Sequence, residues 1–171
     1  MSPVLANVFL HYALDKWFVE NYASKGAIIV RYADDAVFIF EKEQEANDYK
    51  LALKGRLEAF GLELNEDKSG IISFGKRMGN VFHFLGFTFQ WGKDRGTNKR
   101  VLKARTEKKK LFKKIQDYQD WIKNNRSKLK LDDIWRITAA KLRGHYSYFG
   151  VTSNRPKMNH FYYSVIGSLF K

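Results

Sequence analysis

The sequence predicts an α+β fold, an antiparallel sheet with packed helices followed by a basic three-helix unit. Three observations lead there. Two short runs rich in β-branched and aromatic residues, 27–32 and 36–40, flank an acidic link and have the pattern of a hairpin. From Leu111 onward, apolar residues recur at helical spacing. Charge changes sign along the chain. Residues 1–92 carry 10 Lys and Arg against 12 Asp and Glu, net −2, and residues 93–171 carry 21 against 6, net +15.

Taken in order, Ser2-Pro3 suits a helix start, with Ser as N-cap and Pro in the first turn. Leu5, Val8, Phe9 and Tyr12 continue at helical spacing, which predicts a helix over 3–20. A turn near 21–26 leads into the two strands, with Ala33, Asp34 and Asp35 between them. Ala46, Tyr49, Leu53, Leu57 and Phe60 predict a helix over 43–60, capped by Gly61. Residues 62–64 and 70–74 are expected as short strands around a turn at 65–69. Residues 82–89 alternate well enough for one face of a hairpin, with Gly86 placed for a bend or close approach. Residues 93–97 form a polar turn, and 100–104 are the return strand. Leu111, Ile115, Tyr118 and Ile122 make one helical stripe. A second helix, capped by Asp132 or Asp133, carries Trp135, Ala139, Leu142 and Tyr146 on one face. A third starts at Asn154-Arg155-Pro156 with Phe161, Val165 and Leu169 inward. The change of texture places a boundary between units 1–104 and 105–171.

Composition narrows the function classes. Hydrophobic residues make up 44% of the chain, enough for a packed core. Cys is 0, which excludes disulfides and thiolate metal sites, and His11, His83, His145 and His160 are too scattered to spell a zinc site. The longest apolar runs are far short of a membrane span, so a soluble cytoplasmic protein without membrane contact is expected. A field of +15 in one half attracts polyanions, because each phosphate contact releases counterions. Aromatics interleaved with that charge point to a nucleic acid rather than to a merely solvated surface.

The sharpest feature is Asp34-Asp35. Adjacent carboxylates at a hairpin tip repel each other, and a hard cation such as Mg²⁺ relieves that repulsion. Phosphoryl transfer uses carboxylate-held metals of this kind. Tyr32-Ala33-Asp34-Asp35 between two apolar strands resembles the motif C hairpin of reverse transcriptases. The order of other segments strengthens the resemblance. Residues 2–11 look like the end of motif B, 62–69 like motif D, and Phe84-Leu85-Gly86-Phe87 like the primer grip. Residues 142–151 are similar to the thumb, or maturase domain, of bacterial group II intron proteins. Retron and viral enzymes share the palm motifs, but the thumb stretch favours the intron group.

The resemblance implies a partial reverse-transcriptase palm over 1–104 and a thumb over 105–171. It implies RNA-directed DNA polymerisation with two Mg²⁺, coupled to intron splicing and mobility. Asp34 and Asp35 would be catalytic metal ligands, and Lys68 the proton donor to pyrophosphate. Tyr32, Phe84, Leu85 and Gly86 would position the primer. Arg105, Lys109, Lys110, Lys113, Lys114 and Arg143 would hold intron RNA or template-primer through phosphates. Motif A, with its further metal-binding Asp, and the fingers would precede Met1. The resemblance therefore implies weak or absent Mg²⁺ binding and little or no polymerase activity for the isolated chain, with dNTP bound only by the complete enzyme. It also implies an open sheet edge over 27–40, so a homodimer or domain swap is expected there. The other reading is a non-catalytic RNA-binding module, or an obligate partner of a chain that supplies motif A.

Overall fold

A helix that changes its winding halfway opens the chain. In the computed structural model, which describes residues 2–75, 79–94 and 96–170, α1 (Pro3–Leu10) passes through one π turn (His11–Asp15) into α2 (Lys16–Tyr22). The π turn is an insertion that the apolar spacing does not reveal. Its freed carbonyls are partly satisfied from elsewhere: Arg56 Nε donates to the Ala13 carbonyl at 2.9 Å and Nη2 to that of Tyr12 at 3.3 Å. The stripe Leu5, Val8, Phe9 and Tyr12 stays exposed, and the helix buries Ala13, Leu14 and Phe18 instead.

β1 (Ile28–Tyr32) pairs antiparallel with β2 (Asp35–Ile39), as predicted. α3 (Glu43–Glu58) follows. It ends as the sequence predicts, with Gly61 at φ 69°. The Gly61 N–H bonds the Glu58 carbonyl and the Leu62 N–H bonds that of Leu57, the paired bonds of a glycine-capped helix end. These elements close round an aromatic centre. The Tyr49 ring is 3% exposed and lies within 5.8 Å of the rings of Trp17, Phe18, Tyr22, Phe38 and Phe40. Leu14, Ala27, Leu53 and Leu57 complete the core. Burial of one such ring stabilises by roughly 1.5–3 kcal/mol. Residues 62–64 and 70–74 form no ladder, contrary to expectation. Leu62 and Leu64 still pack on the core, so alternation is present without a partner strand to convert it into sheet.

The described residues divide into two compact units between Ser73 and Phe74, whereas charge and texture change at 104/105. In the second unit β3 (Val81–Phe84), β4 (Phe87–Lys93) and β5 (Arg100–Thr106) form an antiparallel sheet in that order. α4 (Lys108–Asn125), α5 (Leu131–Phe149) and α6 (Arg155–Leu169) follow. The predicted α4 stripe of Leu111, Ile115, Tyr118 and Ile122 is buried throughout, against Ile134, Phe161 and Val165. The inward face of α5 is only partly the expected one: Leu142 packs on the core, but Ile134, Thr138, His145 and Phe149 are the buried residues, and Trp135 is exposed. Asp132 and Asp133 lie in the first turn of α5 without capping it, where they favour the helix dipole.

Sheet and helices are stitched by side chains from a 3₁₀ turn, Thr152–Asn154. Ser153 Oγ accepts the Ala104 N–H at 3.0 Å and donates to its carbonyl at 2.8 Å. Asn154 is fully buried. Its Oδ1 accepts the Thr106 N–H at 2.8 Å, and its Nδ2 donates to Thr106 Oγ1 at 2.7 Å and to the Phe149 carbonyl at 2.8 Å. Among the described residues no helix is long and apolar enough to cross a membrane.

Candidate active-site hairpin and nucleic-acid interface

Tyr32 stands opposite Asp35 in the β1–β2 register, so the turn consists of Ala33 and Asp34 alone. Asp34 is a turn residue, and Asp35 is the first residue of β2. Both are exposed, and neither side chain makes a hydrogen bond or ion pair with another described residue. Tyr32 is 67% exposed, on the face it shares with Ile28 and Val30. Of the two turn residues only Ala33 has positive φ, 54°, which matches a hairpin turn normally begun by Gly.

The neighbouring Arg31 fixes this turn. Its Nη1 donates to the Ala33 carbonyl at 2.7 Å and to Asn7 Oδ1 at 2.9 Å. Nε and Nη2 fork onto the two oxygens of Asp15 at 2.7 and 2.6 Å. The bond from Arg31 holds the Asp15 carboxyl below its usual range, and the same bond raises the already high value of Arg31. Arg31 is therefore neutralised by Asp15, and the two tip carboxylates are left without a cationic partner. Two exposed oxygen donors of this kind suit a hydrated hard cation. No cluster of three or more His, Cys, Asp and Glu occurs among the described residues. Lys68 is exposed in the turn after Asn65 and makes no bond to either carboxylate.

The second hairpin turn, between β3 and β4, contains Leu85 at φ 49° and Gly86 at φ 78°. It is held from α5 and from the N-cap residue of α4, both in its own unit. Tyr148 donates from its hydroxyl to the Leu85 carbonyl at 2.9 Å, and the Glu107 N–H bonds the Gly86 carbonyl at 2.9 Å. Glycine suits this place, because a Cβ is strained at φ 78° and would lie 3.2 Å from Lys110 Cδ. Phe84 and Leu85 are half-buried. The expected primer-positioning residues of this turn are thus adjacent to the expected phosphate contacts of α4. Lys114 Nζ stands 5.1 Å over the Phe149 ring. Lys109 lines an open groove with His83, Thr88, Gln90 and Phe112. Lys113 is paired with Asp117 at 3.3 Å. Arg143 is exposed, and Arg105 is half-buried with its Nε bonded to no described residue.

Sequence reasoning missed Arg31, Asp15, Asn7 and Tyr148. Arg31 offered one signal, a charged residue inside an apolar strand. The others had none, because the contacts span separations of 16, 24 and 63 residues.

Comparison with known proteins bears on the hairpin segment. No curated protein and no solved structure matches the chain. The family model described as reverse transcriptase (RNA-dependent DNA polymerase) matches residues 1–89, a stretch that holds both hairpin turns. That match spans more than half of the 171 residues, and the chain belongs to the reverse transcriptase family.

Proposed function

We propose that this chain is the palm and thumb portion of a bacterial group II intron reverse transcriptase/maturase, with palm over 1–104 and thumb over 105–171. The observation that carries the reading is the exposed, unpaired carboxylate pair of Asp34 and Asp35, set at the tip of a two-residue turn inside the matched segment. These two side chains would hold Mg²⁺, which when bound activates the primer hydroxyl and stabilises the leaving oxygen. Tyr32 and the turn Phe84-Leu85-Gly86 position the primer strand, and Lys68 supplies a proton to the departing pyrophosphate. Lys109, Lys110, Lys113, Lys114, Arg105 and Arg143 grip RNA or template-primer by its phosphates. The bare edges of the two-stranded sheet are where a further strand or a second copy would add.

The test is primer extension by the polymerase containing this segment. Asp34→Ala should drop synthesis to background while duplex binding stays within about threefold, since positioning and metal-borne charge carry phosphoryl transfer. Undiminished synthesis by Asp34→Ala would refute the reading. The +15 over residues 93–171 favours a second reading, an RNA-binding module without catalysis. On that reading RNA affinity survives but extension is absent from the wild type as well. Under either reading, Lys109, Lys110, Lys113 and Lys114 changed together to Glu should flatten the salt dependence of RNA binding by roughly one unit of slope for each phosphate no longer neutralised.

A further inference from the structure

We propose that Arg31 is a positioning residue for the hairpin carboxylates, holding Ala33 in its left-handed turn from an anchor on Asp15 and Asn7. The inference rests on the reading of Asp34 and Asp35 as the metal ligands.

Ala33 has φ 54°. A non-glycine residue there costs about 1–3 kcal/mol and persists only where its surroundings over-determine it. Arg31 is the group that does so. One planar guanidinium touches three places at once: both oxygens of Asp15, the side-chain oxygen of Asn7, and the Ala33 carbonyl. A lysine ammonium has no fork with which to do the same.

The anchor depends on the π turn. Positions eight apart on a straight α-helix are about 80° out of line. The residue inserted by the π turn makes the separation equivalent to seven, about 20° from two full turns. Asn7 and Asp15 thereby share the face that meets Arg31. Arg56 secures the π turn itself through the carbonyls of Tyr12 and Ala13. A chain of contacts thus runs from α3 through the π turn and Arg31 to the backbone that carries Asp34. The pairing has a second effect. Engaged by Asp15, Arg31 does not neutralise Asp34 or Asp35, which stay available to a cation.

The experiment is NMR on this chain, comparing wild type with Arg31→Lys and Asn7→Ala, and with Asp34→Asn/Asp35→Asn as control. Two readouts are taken: the φ-dependent coupling and shifts of Ala33, and Mn²⁺ broadening at the tip. Arg31→Lys is expected to move the Ala33 coupling out of its left-handed range, with the resonances of the Tyr49 core unchanged. Asn7→Ala should do so more weakly. The Mn²⁺ concentration for half-broadening should rise about tenfold in Arg31→Lys, equivalent to one charge-assisted hydrogen bond. A wild-type Ala33 coupling and wild-type tip shifts in Arg31→Lys would overturn the inference, whatever the metal does. Tip broadening that is unchanged in the Asp34→Asn/Asp35→Asn control would instead overturn the metal reading, and with it the positioning role. The two failures are therefore distinguishable.

Discussion

The described residues contain two two-residue hairpin turns that solve one problem in opposite ways. Ala33-Asp34 and Leu85-Gly86 both place a non-glycine residue at positive φ, and both have a turn carbonyl bonded from a distant side chain or helix. At the first, the tie is an arginine engaged at once with a carboxylate and an amide, and the tip is exposed and anionic. At the second, the ties are a tyrosine hydroxyl and the N–H of the α4 N-cap residue, and Gly86 is buried beneath Lys110 and Phe149. The sheets behind them differ likewise. β1–β2 has no third strand among the described residues, whereas Ser153 and Asn154 bond the outer edge of β5. The tip that presents carboxylates is fixed at one point and otherwise open. The turn beside the basic helix is tied at both of its carbonyls, with Gly86 buried. On the proposed reading, the open tip suits a site that admits a cation and a hydroxyl, and the tied turn suits a support for a duplex.

The closure of the second unit is the easier to break. Asn154→Ala orphans the buried Thr106 N–H and removes the bonds that Nδ2 donates to Thr106 Oγ1 and the Phe149 carbonyl, and a buried unpaired group costs about 1–3 kcal/mol. A loss on the order of 3 kcal/mol is expected in urea unfolding. Gly86→Ala follows. It adds the penalty of a left-handed Cβ and a contact at 3.2 Å, but the atom met is on the flexible Lys110 chain. The expected loss is about 1–2 kcal/mol, and Lys110→Ala on that background should recover part of it.

The third prediction concerns pH. His145 is 3% exposed, its ring centroid is 3.9 Å from that of Phe161, and neither ring nitrogen has a partner among the described residues. Burial, aided by Lys114, pulls the imidazole down to about 4 from its ordinary 6.5. The unfolded chain therefore binds the proton more readily. The stability of the second unit should be full above pH 6.5 and fall as pH drops from 6.5 toward about 4, with no further change from this group below that. The loss is on the order of 3 kcal/mol. His145→Phe should flatten this stretch of a thermal-melt pH profile. An unchanged slope would show that the carboxylates dominate it.

How much of this the sequence displayed depends on the range of the interaction. The β1–β2 hairpin, the Gly61 cap and the α4 stripe are local patterns of one residue type, and all three appear where expected. The inward face of α5 was legible only in part because Thr138 and His145 look like surface residues. They are buried because Tyr118 Oη bonds Thr138 at 3.0 Å and Phe161 stacks on His145. The carboxylate pair was legible as a dipeptide in context. The Arg31 fork was not, since it needs a π turn that leaves no mark in apolar spacing. Nor was Asn154 legible as more than a helix start, although it bonds Thr106 from 48 residues away.

The smallest effect tests the comparison most directly. If both turns are strained at their non-glycine residue, glycine there relieves the strain, offset by the greater freedom it gives the unfolded chain. Ala33→Gly and Leu85→Gly differ in what else they remove. Ala33 is exposed, so its methyl contributes little packing, and the net change should be a stabilisation of up to about 0.5 kcal/mol. Leu85 is half-buried, and removal of its side chain should outweigh the relief, for a net destabilisation of about 1 kcal/mol. Opposite signs in paired urea titrations are the expected outcome. A destabilising Ala33→Gly would show that Ala33 carries no net strain in the left-handed turn. In that case Arg31→Lys/Ala33→Gly should be less stable than Arg31→Lys alone. If the turn is instead strained and held, glycine should restore part of the stability that Arg31→Lys removes.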